Sequence, residues 1–164
     1  MPTIEEYTRR PREERLARIA RTPEELASAV RSVDAAVLTH RPAPKSWAPT
    51  EVVCHLRDNE EWFLERMRLI MVMDLPRFVA TNPDRWADER QYLTNDASVA
   101  LAAFTRRRRE TLEFLRPLAP DAWARAGAHT DSRGRRTIDE FLSVMAWHDD
   151  NHLDQLRRAL LGRP

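Results

Sequence analysis

Four segments of the chain repeat apolar residues at intervals of three and four, and each is bounded by residues that start or stop helices. A stripe of that kind on each helix is satisfied by packing against the stripes of others, so the pattern predicts a helical bundle. The first segment opens on Thr22-Pro23-Glu24-Glu25, a capping box with proline at the first helical position, and carries Leu26, Val30, Val33 and Val37 on one face over 23–38. His40-Arg41-Pro42-Ala43-Pro44 stops it, because each proline denies its predecessor the helical region. The second begins after Thr50 and reads Val52, Val53, Leu56, Phe63, Met67, Ile70 and Met71 before ending near Met73. The third follows Asn95 or Asp96, shows Leu101, Phe104, Leu112 and Leu115, and stops at Pro117. The fourth opens on a second capping box, Thr137-Ile138-Asp139-Glu140, and runs to Leu161 ahead of Gly162 and Pro164.

Glycine is too scarce for many tight hairpins, with only Gly127, Gly134 and Gly162 among 164 residues, while the strong helix formers Ala, Leu, Arg and Glu abound. The expected class is therefore all-α, with short extra helices at the N-terminus and in the connections. A chain of this length fits one domain, expected over 1–164, with 22–161 as the bundle. Residues 1–21 are expected to be a peripheral helical segment bounded at Pro11 and anchored by Leu16 and Ile19. The stretch 74–95 is too long for a bare loop, and Asn82-Pro83-Asp84 within it marks a short helix start.

Several function classes are disfavoured by composition. Lys+Arg is 27 against Asp+Glu 26, a formal charge of +1, too balanced for a protein that wraps phosphates, so a nucleic-acid binder is disfavoured. One cysteine, Cys54, excludes an intramolecular disulfide framework and a zinc site built from several thiolates. The N-terminal residues show no basic stretch followed by an apolar one, so a secretory signal is not expected and the cytoplasm is the expected compartment. The longest apolar run, Leu69-Ile70-Met71-Val72-Met73, is far shorter than the ~20 residues of a membrane span.

The fourth helix carries the sharpest chemical signal. Phe141, Met145, His148, His152 and Leu156 fall on one stripe that faces the bundle interior, so two imidazoles stand where apolar side chains are wanted. At i and i+4 they project from one face a turn apart, a spacing at which two rings can share a metal ion. The competing reading is a pair of hydrogen-bonded core residues served by Asp149, Asn151 and Gln155. His55, among Val52, Leu56 and Asn59 on the core-seeking second helix, adds a third imidazole. Three histidines from two helices would leave coordination positions open, as a catalytic ion requires. Asp58 and Asp149 are candidates to accept the outer N–H of an imidazole or a proton.

Trp47-Ala48-Pro49-Thr50-Glu51-Val52-Val53-Cys54-His55-Leu56-Arg57-Asp58, followed by His148-Asp149-Asp150-Asn151-His152-Leu153-Asp154-Gln155-Leu156, resembles the DinB/YfiT-like superfamily in motif, order and helical placement over nearly the whole chain. The resemblance implies a four-helix bundle, often a homodimer, with one divalent ion, zinc or nickel, held by His55, His148 and His152. It further implies a metal-dependent hydrolase, or a transferase or isomerase that uses a low-molecular-weight thiol, acting on a small molecule. Nucleic acid and membrane are not among the expected partners.

Against a metalloprotease stands Asp149, which occupies the glutamate position of the His-Glu-x-x-His pattern with a shorter side chain. Cys54 precedes His55 and points about 100° away from it on a helix, which is poor geometry for a nucleophile pair and marks it as packing. Arg106, Arg107, Arg108 and Arg109 spread around their helix, with Arg108 alone on the apolar stripe, placed to reach an anionic substrate or Asp58. Trp62, two turns beyond His55, is a candidate wall of the substrate pocket. His129 and Arg133 precede the fourth helix and fall near the mouth of the site or on a surface loop. The alternative function is a non-catalytic dimeric bundle whose metal or histidine contacts hold an interface or sense stress.

Overall fold

The computed structural model describes residues 2–131 and 133–164. Among these the helices are α1 (Ile4–Arg9), α2 (Arg12–Val30), α3 (Ala35–Leu38), α4 (Pro49–Val72), α5 (Pro83–Glu89), α6 (Ala97–Leu115) and α7 (Ile138–Leu160), with short 3-10 turns at Tyr92–Thr94 and Ala122–Ala124. The four long ones form the bundle that the periodicity predicts. Around it the order is α2, α6, α4, α7, each helix packing on its two neighbours in that ring. The chain therefore steps diagonally from α2 to α4 and again from α6 to α7, and the long connections 31–48 and 116–137 are what those crossings need.

The first bundle helix departs from its predicted limits. It begins at Arg12, contains Pro23 in its interior, and ends at Val30. The Thr22 hydroxyl caps nothing and instead donates to Asp149 Oδ2 at 2.5 Å. Residues 12–21 are thus half of a bundle helix and no peripheral segment. Leu16 and Ile19 are buried in the main apolar cluster, while Arg15 pairs with Asp139 and Arg18 with Asp150. An interior proline costs a helix about 3 kcal/mol, and this burial and pairing offset it. Beyond Val30, Ser32 takes a left-handed φ of 59°, and Asp34 accepts from the Ala36 N–H to cap the separate α3. The N-terminal α1, closed by a Thr3–Glu6 capping box, packs on α7, where the Tyr7 hydroxyl donates to Asp150.

A small sheet, absent from the sequence expectation, joins two connections. β1 (Arg77–Phe78) runs parallel to β2 (Ala126–His129), which pairs antiparallel with β3 (Arg135–Thr137). Phe78 and His129 are in register, and the Thr130 N–H donates to the Phe78 carbonyl at 2.9 Å. The strand crossing requires Gly127, since a Cβ there would lie 2.3 Å from Phe78 Cε2.

At the bundle centre Arg108 of α6 touches the other three long helices. Its guanidinium donates to Glu60 Oε2 of α4 at 2.6 Å, to both carboxylate oxygens of Asp149 on α7 at 2.5 and 3.0 Å, and to the Ile19 carbonyl of α2 at 2.6 Å. Arg108 is 2% exposed and both carboxylates are 1% exposed, so the cluster is fully withdrawn from solvent. Phe104, Leu112, Leu115, Met67 and Phe141 are buried in the surrounding core. Among the described residues no helix is long and apolar enough to cross a membrane.

Candidate metal centre

α4 and α7 run antiparallel, with Phe63 edge-on to Phe141 at 6.1 Å between ring centroids and His55 meeting His148 further along. The apolar stripe of α7 turns His148 and His152 toward α4, and the stripe of α4 turns His55 toward them. One ring nitrogen from each lies within 4.8 Å of the others, and the Nε2 atoms of His55 and His148 are 3.0 Å apart. Two nitrogens each about 2.0–2.1 Å from a tetrahedral ion stand roughly 3.3 Å apart, close to the spacing of the His55 and His148 pair, with His152 as the third donor on the same face. The residues therefore fit a divalent ion.

The rings are held neutral, which leaves lone pairs for coordination. Burial, reinforced by His152, pushes His55 down to about 2. His148 is well below its ordinary value for the same first cause, with His152 and His55 adding to it, and burial also lowers His152. His152 Nδ1 donates to Gln155 Oε1 at 2.7 Å, which fixes the tautomer and leaves Nε2 free. The Asn59 amide lies against the His55 ring, its Nδ2 3.1 Å from Nδ1. Trp47 packs on His55 and stacks on His152 with centroids 4.7 and 6.2 Å away, and Phe63 stands edge-on to His148 at 5.7 Å.

The three histidines open onto a cleft of about 700 Å³. Trp47, Trp62, Phe63, Phe141 and Trp147 form its apolar walls, while Lys45, Arg133, Arg136 and Arg158 make its lining strongly basic against the single acid Asp84. Trp62 thus stands where a pocket wall was expected, and both His129 and Arg133 line the same cleft.

The expected carboxylate and arginine contributors lie elsewhere. Asp58 accepts from Arg57 at 2.7 Å, Arg90 at 2.5 Å and the Tyr92 hydroxyl at 2.8 Å, and it bonds no imidazole. Asp149, a helix step of about 100° from His148, turns into the Arg108 cluster. Gln155 takes the part foreseen for these two acids. Arg108 reaches neither Asp58 nor the cleft, because Glu60 and Asp149 claim its donors inside the bundle. The rest of the arginine run spreads as expected, with Arg106 and Arg109 exposed beside Glu110 and Glu113 and Arg107 paired with Glu61. Cys54 is buried away from the cleft, and burial raises its thiol to about 11.

Residues 18–156 match the DinB superfamily. The chain is similar to YfiT of Bacillus subtilis (strain 168), described as a candidate metal-dependent hydrolase, with 24% identity over 107 residues, 65% of this chain. That match spans 60% of the relative's own length. Among solved structures, YfiT from Bacillus subtilis, characterised as having an unusual four-helix bundle topology, superimposes with a TM-score of 0.85 at 21% identity, covering 90% of this chain and 85% of that one. The mycothiol-dependent maleylpyruvate isomerase superimposes with a TM-score of 0.72 at 16% identity, over 95% of this chain and 63% of its own.

Proposed function

Because the chain belongs to the DinB superfamily, we propose that it is a metal-dependent enzyme acting on a small molecule, a hydrolase or a low-molecular-weight-thiol-dependent transferase. His55, His148 and His152 hold one divalent ion in this reading, zinc or nickel. The observation that carries it is the convergence of three neutral imidazoles on the wall of an open 700 Å³ cleft. The non-catalytic alternative expects a site closed by a fourth protein ligand, and among the described residues the cluster has three. The isomerase relative, described as mycothiol-dependent, keeps thiol chemistry within this reading. A cytoplasmic homodimer belongs to the same reading on the family resemblance.

The ion would supply Lewis acidity, lowering the pKa of a water or thiol so that the anion is available near neutral pH. The protein's part is orientation and exclusion of solvent. Gln155 holds His152 in the tautomer that offers Nε2, and Asn59 steadies His55. Trp47 and Phe63 cover the rings from two sides, and Trp62 walls the adjoining space for the substrate. Asp58 and Asp149 act on the site by fixing the helices that carry its histidines.

The test is the metal content of untagged protein. Wild type is expected to retain a stoichiometric ion, and His152→Ala and His55→Ala to lose affinity to the same degree. Gln155→Ala is expected to weaken metal binding by about 10–100-fold, as removal of an orienting partner does. Equal metal in wild type and His152→Ala overturns the reading.

A further inference from the structure

The segment 39–48, between α3 and α4, carries Lys45 and Trp47 on one wall of the cleft. Behind it lies a second, smaller cavity of about 130 Å³, lined by Pro42, Ser46 and Trp47 and, from α7, by Ala159. Space on both sides leaves little packing to hold such a wall. Among the described residues of 39–47, Trp47 alone packs on the apolar clusters of the core. No hydrogen-bond ladder holds the segment either. From Arg41 to Ala48 the main chain donates twice among the described residues, from Ser46 to the Ala43 carbonyl at 3.0 Å and from Ala48 to Glu51 Oε2 at 2.8 Å. Trp47 nevertheless rests on two of the three histidines, its ring tilted against His55 and within 15° of parallel to that of His152.

Glu51, in the first turn of α4, accounts for this. Its carboxylate is fully buried, and besides the Ala48 N–H it accepts a two-pronged contact from Arg41, Nε at 2.7 Å on Oε2 and Nη2 at 2.5 Å on Oε1. Among the described residues no other cation pairs with it, and Arg41 arrives from the surface with its side chain 37% exposed. A helix cap requires the Ala48 contact alone. The Arg41 contact spans ten positions and ties the far end of the segment to the end beside Trp47. A forked arginine–carboxylate pair fixes direction as well as distance, which suits it to that task.

We propose that Arg41 and Glu51 are positioning residues of the metal centre. Their pair draws the segment 39–48 into a closed loop, which holds the Trp47 ring over His55 and His152 and slows exchange of the bound ion with solvent. This rests on the reading of the triad as a metal centre.

Proton resonances of the His55 and His152 rings, shifted by the neighbouring indole, report the placement of Trp47 in metal-free protein, with Trp47→Leu as the unshifted reference. Glu51→Gln, which is isosteric and can still accept the Ala48 N–H, and Arg41→Met are both expected to carry these resonances most of the way to the reference. From zinc-loaded protein, release to excess EDTA is expected to be about tenfold or more faster in Trp47→Leu, Glu51→Gln and Arg41→Met than in wild type. The two clamp variants change the net charge in opposite directions, so acceleration in both excludes a simple field effect. Arg41→Lys, which keeps the charge without the fork, should fall between Arg41→Met and wild type. The double variant Arg41→Met with Glu51→Gln lacks the unpaired buried carboxylate and should release zinc as fast as the single ones, which separates loss of the clamp from loss of folding. Resonances unmoved in both clamp variants overturn the proposal, and so do resonances that move while zinc release keeps its wild-type rate. A wild type that takes up no zinc refutes the metal reading alone, and the ring resonances then decide whether the pair positions Trp47.

Discussion

Replacing Arg108 with methionine is expected to cost about 4 kcal/mol, because it leaves Glu60 and Asp149 as charges in the centre of the bundle without their counter-ion. Asp149 would keep the Thr22 hydroxyl. Among the described residues Glu60 would keep no partner, since Oε1 already lacks one and Oε2 accepts from Arg108 alone. Loss of one member of a buried pair typically costs about 3–5 kcal/mol, against about 5–15 kcal/mol for the stability of a whole domain. For a chain of this size that lowers the melting temperature by roughly 8–16 °C. Urea unfolding of the metal-free protein, followed by circular dichroism at neutral pH, reads the loss directly. Arg108→Lys keeps the charge but cannot span both carboxylates and the Ile19 carbonyl, so it should fall between wild type and Arg108→Met. Combining Arg108→Met with Glu60→Met and Asp149→Leu should recover most of the loss, since an apolar core of similar volume needs no pairing. A loss below about 1 kcal/mol in Arg108→Met, or a triple variant no more stable than the single one, would refute the account of the centre.

Acid should destabilise the metal-free protein well before its carboxylates titrate. Burial holds His55 at about 2 and His148 well below its ordinary value, so the unfolded chain binds these protons near pH 6.5 while the folded chain does not. Their contribution is complete above 6.5 and is lost as pH falls. Between pH 7.5 and 5.5 the two imidazoles should remove about 3 kcal/mol, and a flat urea midpoint across that range would contradict their neutrality. Gly127→Ala should destabilise by about 1–3 kcal/mol through the clash with Phe78, and an unchanged melting temperature would show that the strand crossing yields freely.

The histidine triad was legible because it breaks a pattern. His148 and His152 interrupt the apolar stripe of one amphipathic helix, and His55 does the same on another, so their inward positions follow from helical geometry while their convergence is what the family resemblance implies. Asp58 and Asp149 were misplaced for a related reason. Sequence proximity to a ligand does not say which direction a neighbouring side chain takes, and both turn toward arginines. The start of α2 was hidden by a locally sound capping box at Thr22, overruled by burial of Leu16 and Ile19 and by a hydroxyl that had a better partner in Asp149. The strands are two to four residues long and too short to show alternation. In the sequence His129 and Arg133 stand out only as residues near a helix start, because the Arg66 contact that places His129 spans 63 positions and Arg133 pairs with its neighbour Asp131.

The diagonal connections explain why the cleft has two chemically distinct ends. Helices α4 and α7 present the triad from rigid faces locked by the Arg108 cluster, so the histidine geometry depends on the bundle core. The long crossings cannot pack as bundle helices, and one of them instead pairs through β2 with the segment after α4, bringing His129 and Arg136 to the same opening. The proposed ion site therefore rests on the bundle face, and the basic end of the cleft on the connections. Gln155→Ala should weaken metal binding by about 10–100-fold, whereas Arg136→Gln, on the connection, should leave it within about twofold. An Arg136→Gln variant that lost as much metal affinity as Gln155→Ala would mean that the connections and the bundle face form one mechanical unit.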